Sequence, residues 1–169
     1  MALAVVGGGR RSGKSRYALA LASSQGSRLG FVATLTPTDP ESLEKVANAQ
    51  AERGPGFITF EEPLEILHLI REHGALFDAI VIDDLTVWVA NLIMAGNRDP
   101  EHETRQLLDL VHSTRAELIF VTSDVDFGFP VDSEASRNMR RDAGLINRLV
   151  AEASSRLYWM VFGIPKRIR

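Results

Sequence analysis

Short apolar runs alternate with longer segments of helical pattern along the chain. Most runs are continuous rather than alternating, and valine, isoleucine and phenylalanine recur in them, which is typical of strands buried on both faces of a parallel sheet. They predict strands over residues 2–6, 29–34, 57–60, 79–82, 118–122 and 157–162. Residues 164–169 alternate apolar and basic side chains behind Gly163, which predicts a last edge strand with its charges exposed.

The segments between these runs predict helices. Glycine breakers end several of them, and Asp99 stands where a helix cap is expected. The predicted helices cover residues 14–23, 40–52, 63–73, 85–95, 100–114 and 133–154. This alternation predicts an α/β fold, with a mainly parallel sheet of about six or seven strands flanked by helices. No repeat or long linker divides the chain, so we expect a single domain over residues 1–169.

A glycine-rich stretch lies between the first predicted strand and the first predicted helix. Residues 8–15, called the phosphate loop below, read Gly-Gly-Arg-Arg-Ser-Gly-Lys-Ser and match the pattern G-x-x-x-x-G-K-[ST]. Backbone N–H groups of such a loop, together with the following helix N-terminus, attract a polyphosphate. The fold class expected is therefore a P-loop NTPase fold of the RecA-like type, with GTP or ATP and Mg²⁺ as its ligands.

The motif suggests roles for individual residues of the phosphate loop. Lys14 can reach the β- and γ-phosphates and is a candidate catalytic residue, and the Ser15 hydroxyl can ligate Mg²⁺. Arg10 and Arg11 either add charge near the phosphates or are solvated loop residues, and the sequence leaves both alternatives open. The candidate nucleotide-binding residues are Gly8, Gly9, Arg10, Arg11, Ser12, Gly13, Lys14 and Ser15.

Acidic residues follow two of the predicted strands. Asp83 and Asp84 come directly after the apolar run 79–82, where a carboxylate can hold Mg²⁺ opposite a phosphate loop. Asp83 is the first candidate for the metal and for catalysis, and Asp84 is the second; the alternative role is a cap for the helix that follows. Asp124 follows another strand and either faces the reacting groups or is a turn residue.

Composition narrows the class of protein. The 169 residues carry a formal net charge of −3, which argues against a nucleic-acid binder driven by bulk positive charge, though not against a local basic groove. No nucleic-acid partner is expected. Cysteine is absent, which excludes disulfides, thiolate metal sites and cysteine nucleophiles. No signal peptide or apolar stretch long enough for a membrane span is visible, so a cytoplasmic protein is expected.

The chain resembles a known family over essentially its whole length. The residues that carry the resemblance are the phosphate loop with Arg16, residues 31–34, Asp39 with Glu41, Arg53, residues 82–92, residues 121–125, Arg140, Gly144 and Asn147, and residues 163–165. Together they are similar to the bifunctional adenosylcobinamide kinase/adenosylcobinamide-phosphate guanylyltransferases of cobalamin biosynthesis.

The resemblance implies two reactions and an assembly. The first reaction phosphorylates the aminopropanol hydroxyl of adenosylcobinamide with a nucleoside triphosphate. The second transfers GMP from GTP onto that phosphate through a guanylylated histidine. Members of the family similar to this chain assemble as trimers, so a homo-oligomer is expected.

Several positions depart from the family pattern. The guanylyl-accepting histidine lies four residues before the arginine that corresponds to Arg53, and that position is Ala49 here. Alanine has no nucleophile, so a covalent nucleotidyl intermediate cannot form there. The other departures are Asp84, the pair Ser123–Asp124, Asp126, the pair Arg140–Arg141 with Asp142, and Arg148. Several of these changes fall where the acceptor should bind, whereas the phosphate loop is intact. This pattern predicts a divergent relative whose guanylyltransferase activity is in doubt; the alternatives are a complete bifunctional enzyme with another nucleophile and a non-catalytic nucleotide-binding protein.

Overall fold

The protein is described by a computed structural model covering residues 2–37, 40–124 and 133–169. Its centre is a seven-stranded sheet of strand order β3-β2-β4-β5-β1-β6-β7. The strands are β1 (Leu3–Gly8), β2 (Leu29–Ala33), β3 (Phe57–Glu61), β4 (Ala79–Asp83), β5 (Glu117–Ser123), β6 (Arg156–Val161) and β7 (Ile164–Arg167). All neighbouring pairs are parallel except β6 with β7. The predictions of a mainly parallel sheet and of an exposed, basic edge strand at the end of the chain are confirmed.

Six α-helices accompany the sheet in the described residues. They are α1 (Lys14–Ser23), α2 (Pro40–Arg53), α3 (Ile66–His73), α4 (Leu85–Ala95), α5 (Pro100–Ser113) and α6 (Glu134–Ala153), and a short 3-10 turn, Gly74–Leu76, follows α3. The predicted cap of α5 is present, since the Asp99 carboxylate accepts the backbone N–H of Glu101 at 2.9 Å. None of the helices in the described ranges has the length and apolar character needed to cross a membrane.

Alternate residues of each central strand enter two separate apolar cores. Ala4 and Val6 of β1 face one core with Ala18 and Ala22 of α1. The neighbouring residues Leu3 and Val5 face a larger core, which receives side chains from α3, α4, α5 and α6. Strands buried on both faces have no polar face, which explains their continuous apolar runs.

The start of α3 corrects a sequence prediction. The pattern predicted a helix from Pro63, whereas the helix begins at Ile66. The Glu62 carboxylate accepts the backbone N–H groups of Leu64 and Glu65, at 2.9 and 2.8 Å. Side chains of α4 donate to the carbonyl groups of Pro63 and Leu64. These groups are therefore engaged outside a helical ladder.

The first strand is also longer than predicted. It continues through Gly7 and Gly8, which pair with Thr122 and Ser123 of β5. A Cβ on Gly7 would lie 3.1 Å from the Trp159 ring, so glycine lets the strand continue past the indole. Because β1, β4 and β5 are parallel, their carboxyl ends bring the phosphate loop and both acidic segments to one edge of the sheet.

Candidate nucleotide-binding site

The phosphate loop joins β1 to α1 and depends on two glycines. A Cβ on Gly8 would lie 2.8 Å from the Ser12 hydroxyl oxygen and 3.0 Å from the Met160 carbonyl oxygen, so a side chain there would collide with the loop itself. Gly13 adopts a φ of 92°, in the left-handed region that glycine tolerates at little cost. Both glycines of the motif are thus required by the shape of the loop.

The N-terminus of α1 points its free amide groups at the loop. Gly13 is the N-cap and has no side chain to accept them, and the first turn carries no acidic residue. Such a terminus attracts an anion through its N–H groups and the helix dipole. The Ser12 hydroxyl is buried without a hydrogen-bond partner among the described residues, which leaves a further unused donor inside the loop. This donor set fits a phosphate group.

Lys14 lies across the loop. Its side chain is buried, and its Nζ donates to the Gly9 carbonyl oxygen at 2.8 Å. Burial lowers the pKa of the Lys14 ammonium, while the nearby carboxylates of Asp84 and Asp83 act in the opposite direction. The lysine is therefore held between the loop and the acidic end of β4, rather than extended into solvent.

The Asp83 carboxyl is buried beside the phosphate loop, near the Ser15 side chain. Burial raises the pKa of the Asp83 carboxyl to about 6, and the adjacent Asp84 adds to the rise. The Ser15 side chain and the charges of Lys14 and Arg53 act in the opposite direction. The structure thus brings together the hydroxyl and the carboxylate that the sequence selected for Mg²⁺, and both are oxygen ligands of the kind that this ion prefers.

Asp84 has the other role that the sequence left open. Its Oδ1 accepts the backbone N–H groups of Thr86 and Val87, at 2.6 and 3.3 Å, and so caps α4. Its Oδ2 accepts the Ser123 hydroxyl at 2.8 Å. Both oxygens of Asp84 are therefore engaged in positioning α4 against the end of β5.

Thr34 fixes the backbone between the two acids, and sequence reasoning gave it no individual role. Its side chain is fully buried, and its hydroxyl oxygen lies 2.8 Å from the Asp84 amide nitrogen and 2.9 Å from the Asp84 carbonyl oxygen. Its own N–H donates to the Asp83 carbonyl at 3.1 Å. The sequence signals were its position at the end of a predicted strand and its place in residues 31–34, which carry the family resemblance.

Arg53 brings positive charge from α2 toward the same acid. Its guanidinium carbon lies 3.8 Å from the centre of the Phe31 ring, a cation–π contact. Burial lowers the pKa of the Arg53 guanidinium, and Asp83 and Glu61 oppose this shift. Sequence reasoning had named Arg53 only as a family marker, since nothing in its neighbours indicates that it packs on Phe31.

A polar cluster connects the end of β5 to α4 and α6. The Thr86 hydroxyl lies 3.3 Å from the Thr122 hydroxyl and accepts the Ser123 N–H at 3.0 Å. The Asn147 amide donates to the Ser123 carbonyl at 3.1 Å, and the Thr122 hydroxyl donates to the Asn147 side-chain oxygen. These four residues belong to the segments that carry the family resemblance, and they are connected to one another by hydrogen bonds.

A cavity of about 480 Å³ opens beside this cluster. Apolar side chains and glycines of β1, β6 and α6 form most of it, and Thr122, Asp124 and Asn147 supply its polar groups. The Asp124 N–H donates to the Gly8 carbonyl at 3.4 Å, which connects the cavity to the phosphate loop. The cavity thus offers a largely apolar space next to the loop.

The remaining candidates have plainer surroundings. Arg10 and Arg11 are exposed on the phosphate loop, so both of their predicted alternatives stay open. Asp39, Val125 and Asp126 lie outside the described residues, as do the side chains of Glu41 and Ala49.

This arrangement of sheet, loop and acidic strand end defines the class of protein, a P-loop nucleotide-binding fold of the RecA-like type. Two solved structures share it. The flagellar accessory protein FlaH of Methanocaldococcus jannaschii matches with a TM-score of 0.60 and 13% identity, over 99% of this chain and 78% of that one. The RadB recombinase matches with a TM-score of 0.54 and 20% identity, over 94% of this chain and 73% of that one.

Within that class, the chain belongs to the cobinamide kinase/cobinamide phosphate guanyltransferase family, whose model matches residues 4–168. The bifunctional adenosylcobalamin biosynthesis protein CobP of Pseudomonas aeruginosa is 30% identical, over 96% of this chain and 94% of its own. The corresponding CobU proteins are 30% identical in Salmonella typhimurium and 27% in Escherichia coli, each over 98% of both chains. The resemblance seen in the sequence is confirmed, and so is the prediction of an enzyme of the kinase and nucleotidyltransferase type.

Proposed function

We propose that this protein transfers the γ-phosphoryl group of GTP or ATP to adenosylcobinamide. The observation that supports this best is the intact phosphate loop, with Lys14 lying across it and the Ser15 side chain close to the Asp83 carboxyl. Phosphoryl transfer requires mainly positioning and electrostatic stabilisation, which these groups can supply.

In this proposal the residues have the following roles. The N–H groups of the loop and of α1 bind the phosphate oxygens, and the Lys14 ammonium stabilises the charge that develops on the transferred group. Ser15 and Asp83 would hold Mg²⁺, which supplies positive charge against the β- and γ-phosphates when bound. The acceptor oxygen forms a bond to the γ-phosphorus while the bond from that phosphorus to the bridging oxygen breaks. The nucleoside diphosphate leaves with the bridging oxygen, and the hydroxyl proton passes to solvent. No general base is assigned.

We propose that the aminopropanol arm of adenosylcobinamide, which carries the acceptor hydroxyl, enters the cavity beside Asp124. This cavity adjoins the phosphate loop through the Asp124–Gly8 hydrogen bond, and its walls are mostly apolar. The acceptor side is also where the sequence departs from the family pattern, at Ser123 and Asp124. A different acceptor of similar chemistry is therefore the second candidate.

We propose further that guanylyl transfer through a histidine at position 49 does not occur. Position 49 is alanine, and α2 (Pro40–Arg53) contains no histidine. The chain's histidines are His68, His73, His102 and His112. A bifunctional enzyme would need another nucleophile, and incubation with α-labelled GTP would then leave a covalent label on the protein. The label is acid-labile and base-stable when a histidine or lysine nitrogen carries it.

The family resemblance also suggests a homotrimer in the cytoplasm. Light scattering should then give about three times the mass of the 18.6 kDa chain.

The decisive assay combines purified protein, adenosylcobinamide, Mg²⁺ and either GTP or ATP, with phosphorylated and GDP-linked products followed separately. Wild-type protein should form the phosphorylated product only. Lys14→Ala should abolish it, whereas Lys166→Ala, which truncates an exposed lysine on β7, should leave turnover unchanged. Normal turnover by Lys14→Ala would refute the kinase proposal. Nucleotide binding without turnover of any corrinoid would favour a non-catalytic protein.

A further inference from the structure

The turn between β6 and β7 lies against the phosphate loop. Phe162 and Gly163 form this turn, with φ values of 49° and 83°. The Gly163 N–H donates to the Ser12 carbonyl at 3.1 Å, and the Gly163 Cα lies 3.5 Å from the position that a Cβ on Gly13 would occupy. Backbone contacts therefore fix the turn to the loop, close to the residue that caps α1.

Phe162 is an unexpected residue for this position. A two-residue hairpin turn with both φ values positive favours glycine, asparagine or aspartate. A bulky side chain in the left-handed region is uncommon and strained, and such strain is concentrated at functional sites. The Phe162 side chain is 98% exposed, so its ring gains no burial within the described chain that would offset the strain.

We propose that the Phe162 ring stacks on the base of the nucleoside triphosphate whose phosphates occupy the phosphate loop. The proposal rests on the proposed function of that loop. Gly163, the next residue, contacts Ser12 and Gly13, so the turn holds the Phe162 ring close to the phosphate loop. The ring itself is exposed. Aromatic side chains stack on every nucleobase, because each base has a π face. Phe162 therefore contributes affinity for GTP and ATP alike, without selecting between them.

Binding of three ligands tests the proposal: GTP, ATP and inorganic tripolyphosphate, which has no base, each titrated with Mg²⁺ into the purified protein by calorimetry. Phe162→Ala should weaken GTP and ATP binding by roughly 5- to 150-fold, the range that corresponds to the loss of one stacked base. Its affinity for tripolyphosphate should equal that of the wild type. Phe162→Trp should retain nucleotide affinity, and its indole fluorescence should change when GTP binds but not when tripolyphosphate binds.

Two further variants control for folding and for exposed apolar area. Phe162→Gly removes the strain at positive φ, so it should fold at least as stably as the wild type and lose the same affinity as Phe162→Ala. Met94→Ala truncates another exposed side chain, 84% exposed near the end of α4, and should bind all three ligands normally.

The outcomes separate this inference from the proposed function. If Lys14→Ala weakens all three ligands while Phe162→Ala weakens none, stacking is refuted and the phosphate site stands. If Lys14→Ala binds all three normally, the phosphate site itself is refuted. Equal loss of tripolyphosphate and nucleotide affinity in Phe162→Ala would indicate a distorted loop and refute stacking. Loss of self-association with unchanged nucleotide affinity would assign Phe162 to a contact between copies of the chain, which also refutes it.

Discussion

Asp83 and Asp84 are adjacent at the end of β4, and their side chains have different surroundings. Asp83 lies near the Ser15 side chain, whereas Asp84 caps α4 and accepts the Ser123 hydroxyl. The Thr34 hydroxyl binds both the N–H and the carbonyl of Asp84 and so positions the backbone of that residue. Asp84 is therefore the helix cap, and Asp83 is the residue that we propose as a ligand of Mg²⁺.

A single glycine at the opposite edge of the sheet gives the prediction at the residue scale. A Cβ on Gly26 would lie 2.6 Å from both Cβ and Cγ of Asp78, which is too close without movement of the loop. Gly26→Ala should lower the free energy of unfolding by about 1–3 kcal/mol, measured by urea denaturation, because the collision displaces a bonded carboxylate.

The matched control is Gly56→Ala, also in a loop. No atom lies within 4 Å of a Cβ built on Gly56, and the substitution should change stability by no more than about 0.5 kcal/mol. Equal stabilities of the two variants would contradict the packing argument.

At the scale of elements, α4 is attached to the loops after β2 and β3 by two side chains. The Asn91 amide donates to the Thr34 and Pro63 carbonyls, at 2.9 and 3.0 Å, and the Trp88 indole donates to the Leu64 carbonyl at 3.0 Å. Buried carbonyls that lack a partner are costly, so these bonds stabilise the loops that surround the site. Trp88 and Asn91, which are among the residues that carry the family resemblance, therefore have a structural role away from the phosphate loop.

Asp78 joins the loop before β2 to the starts of β4 and β5, and it predicts a pH dependence. The Arg28 side chain, at 2.5 Å, and the backbone N–H groups of Arg28 and Ser27 lower the pKa of the Asp78 carboxyl from 3.8 to about 2. A depressed carboxyl pKa contributes stability above the ordinary pKa, and this contribution is lost as the pH falls through the folded value. The relevant window is therefore about pH 4 to 2.

Asp78→Asn should flatten the pH profile of stability in that window. The free energy of unfolding of the wild type should fall more steeply between pH 4 and 2 than that of the variant, because only the wild type has this carboxylate to protonate. Thermal denaturation at a series of pH values measures the difference. Parallel profiles for the two proteins would show that the Asp78–Arg28 contact does not contribute.

At the scale of the whole molecule, one sheet supports both apolar cores. Leu3 and Val5 of β1 enter the larger core, whereas Ala4 and Val6 enter the smaller one beneath α1. If one core unfolded, the strands of the sheet would lose the packing on that face, and the other core is built on the same strands. The phosphate loop extends directly from β1, so its geometry depends on both.

We therefore expect the chain to unfold in a single cooperative transition, as one domain. Scanning calorimetry should give a calorimetric enthalpy equal to the van't Hoff enthalpy. Near-ultraviolet dichroism, which reports on packing around Trp88 and Trp159, should lose its signal at the same temperature as the far-ultraviolet signal. Two separated transitions would show that the cores are independent units.

The sequence by itself determined the order of strands and helices, the phosphate loop with Lys14 and Ser15, the acidic end of β4 and the absence of a histidine in α2. These features are local: periodicity, a contiguous motif and residue identity can be read without knowing what lies nearby. Tertiary structure alone decided that Asp83 rather than Asp84 lies near Ser15, and that Thr34 binds the backbone of Asp84. It also decided where α3 begins, at Ile66, and that Phe162 lies beside the phosphate loop. Each of these depends on a partner remote in the chain, and the partner was fixed only when parallel strands brought their ends to one edge of the sheet.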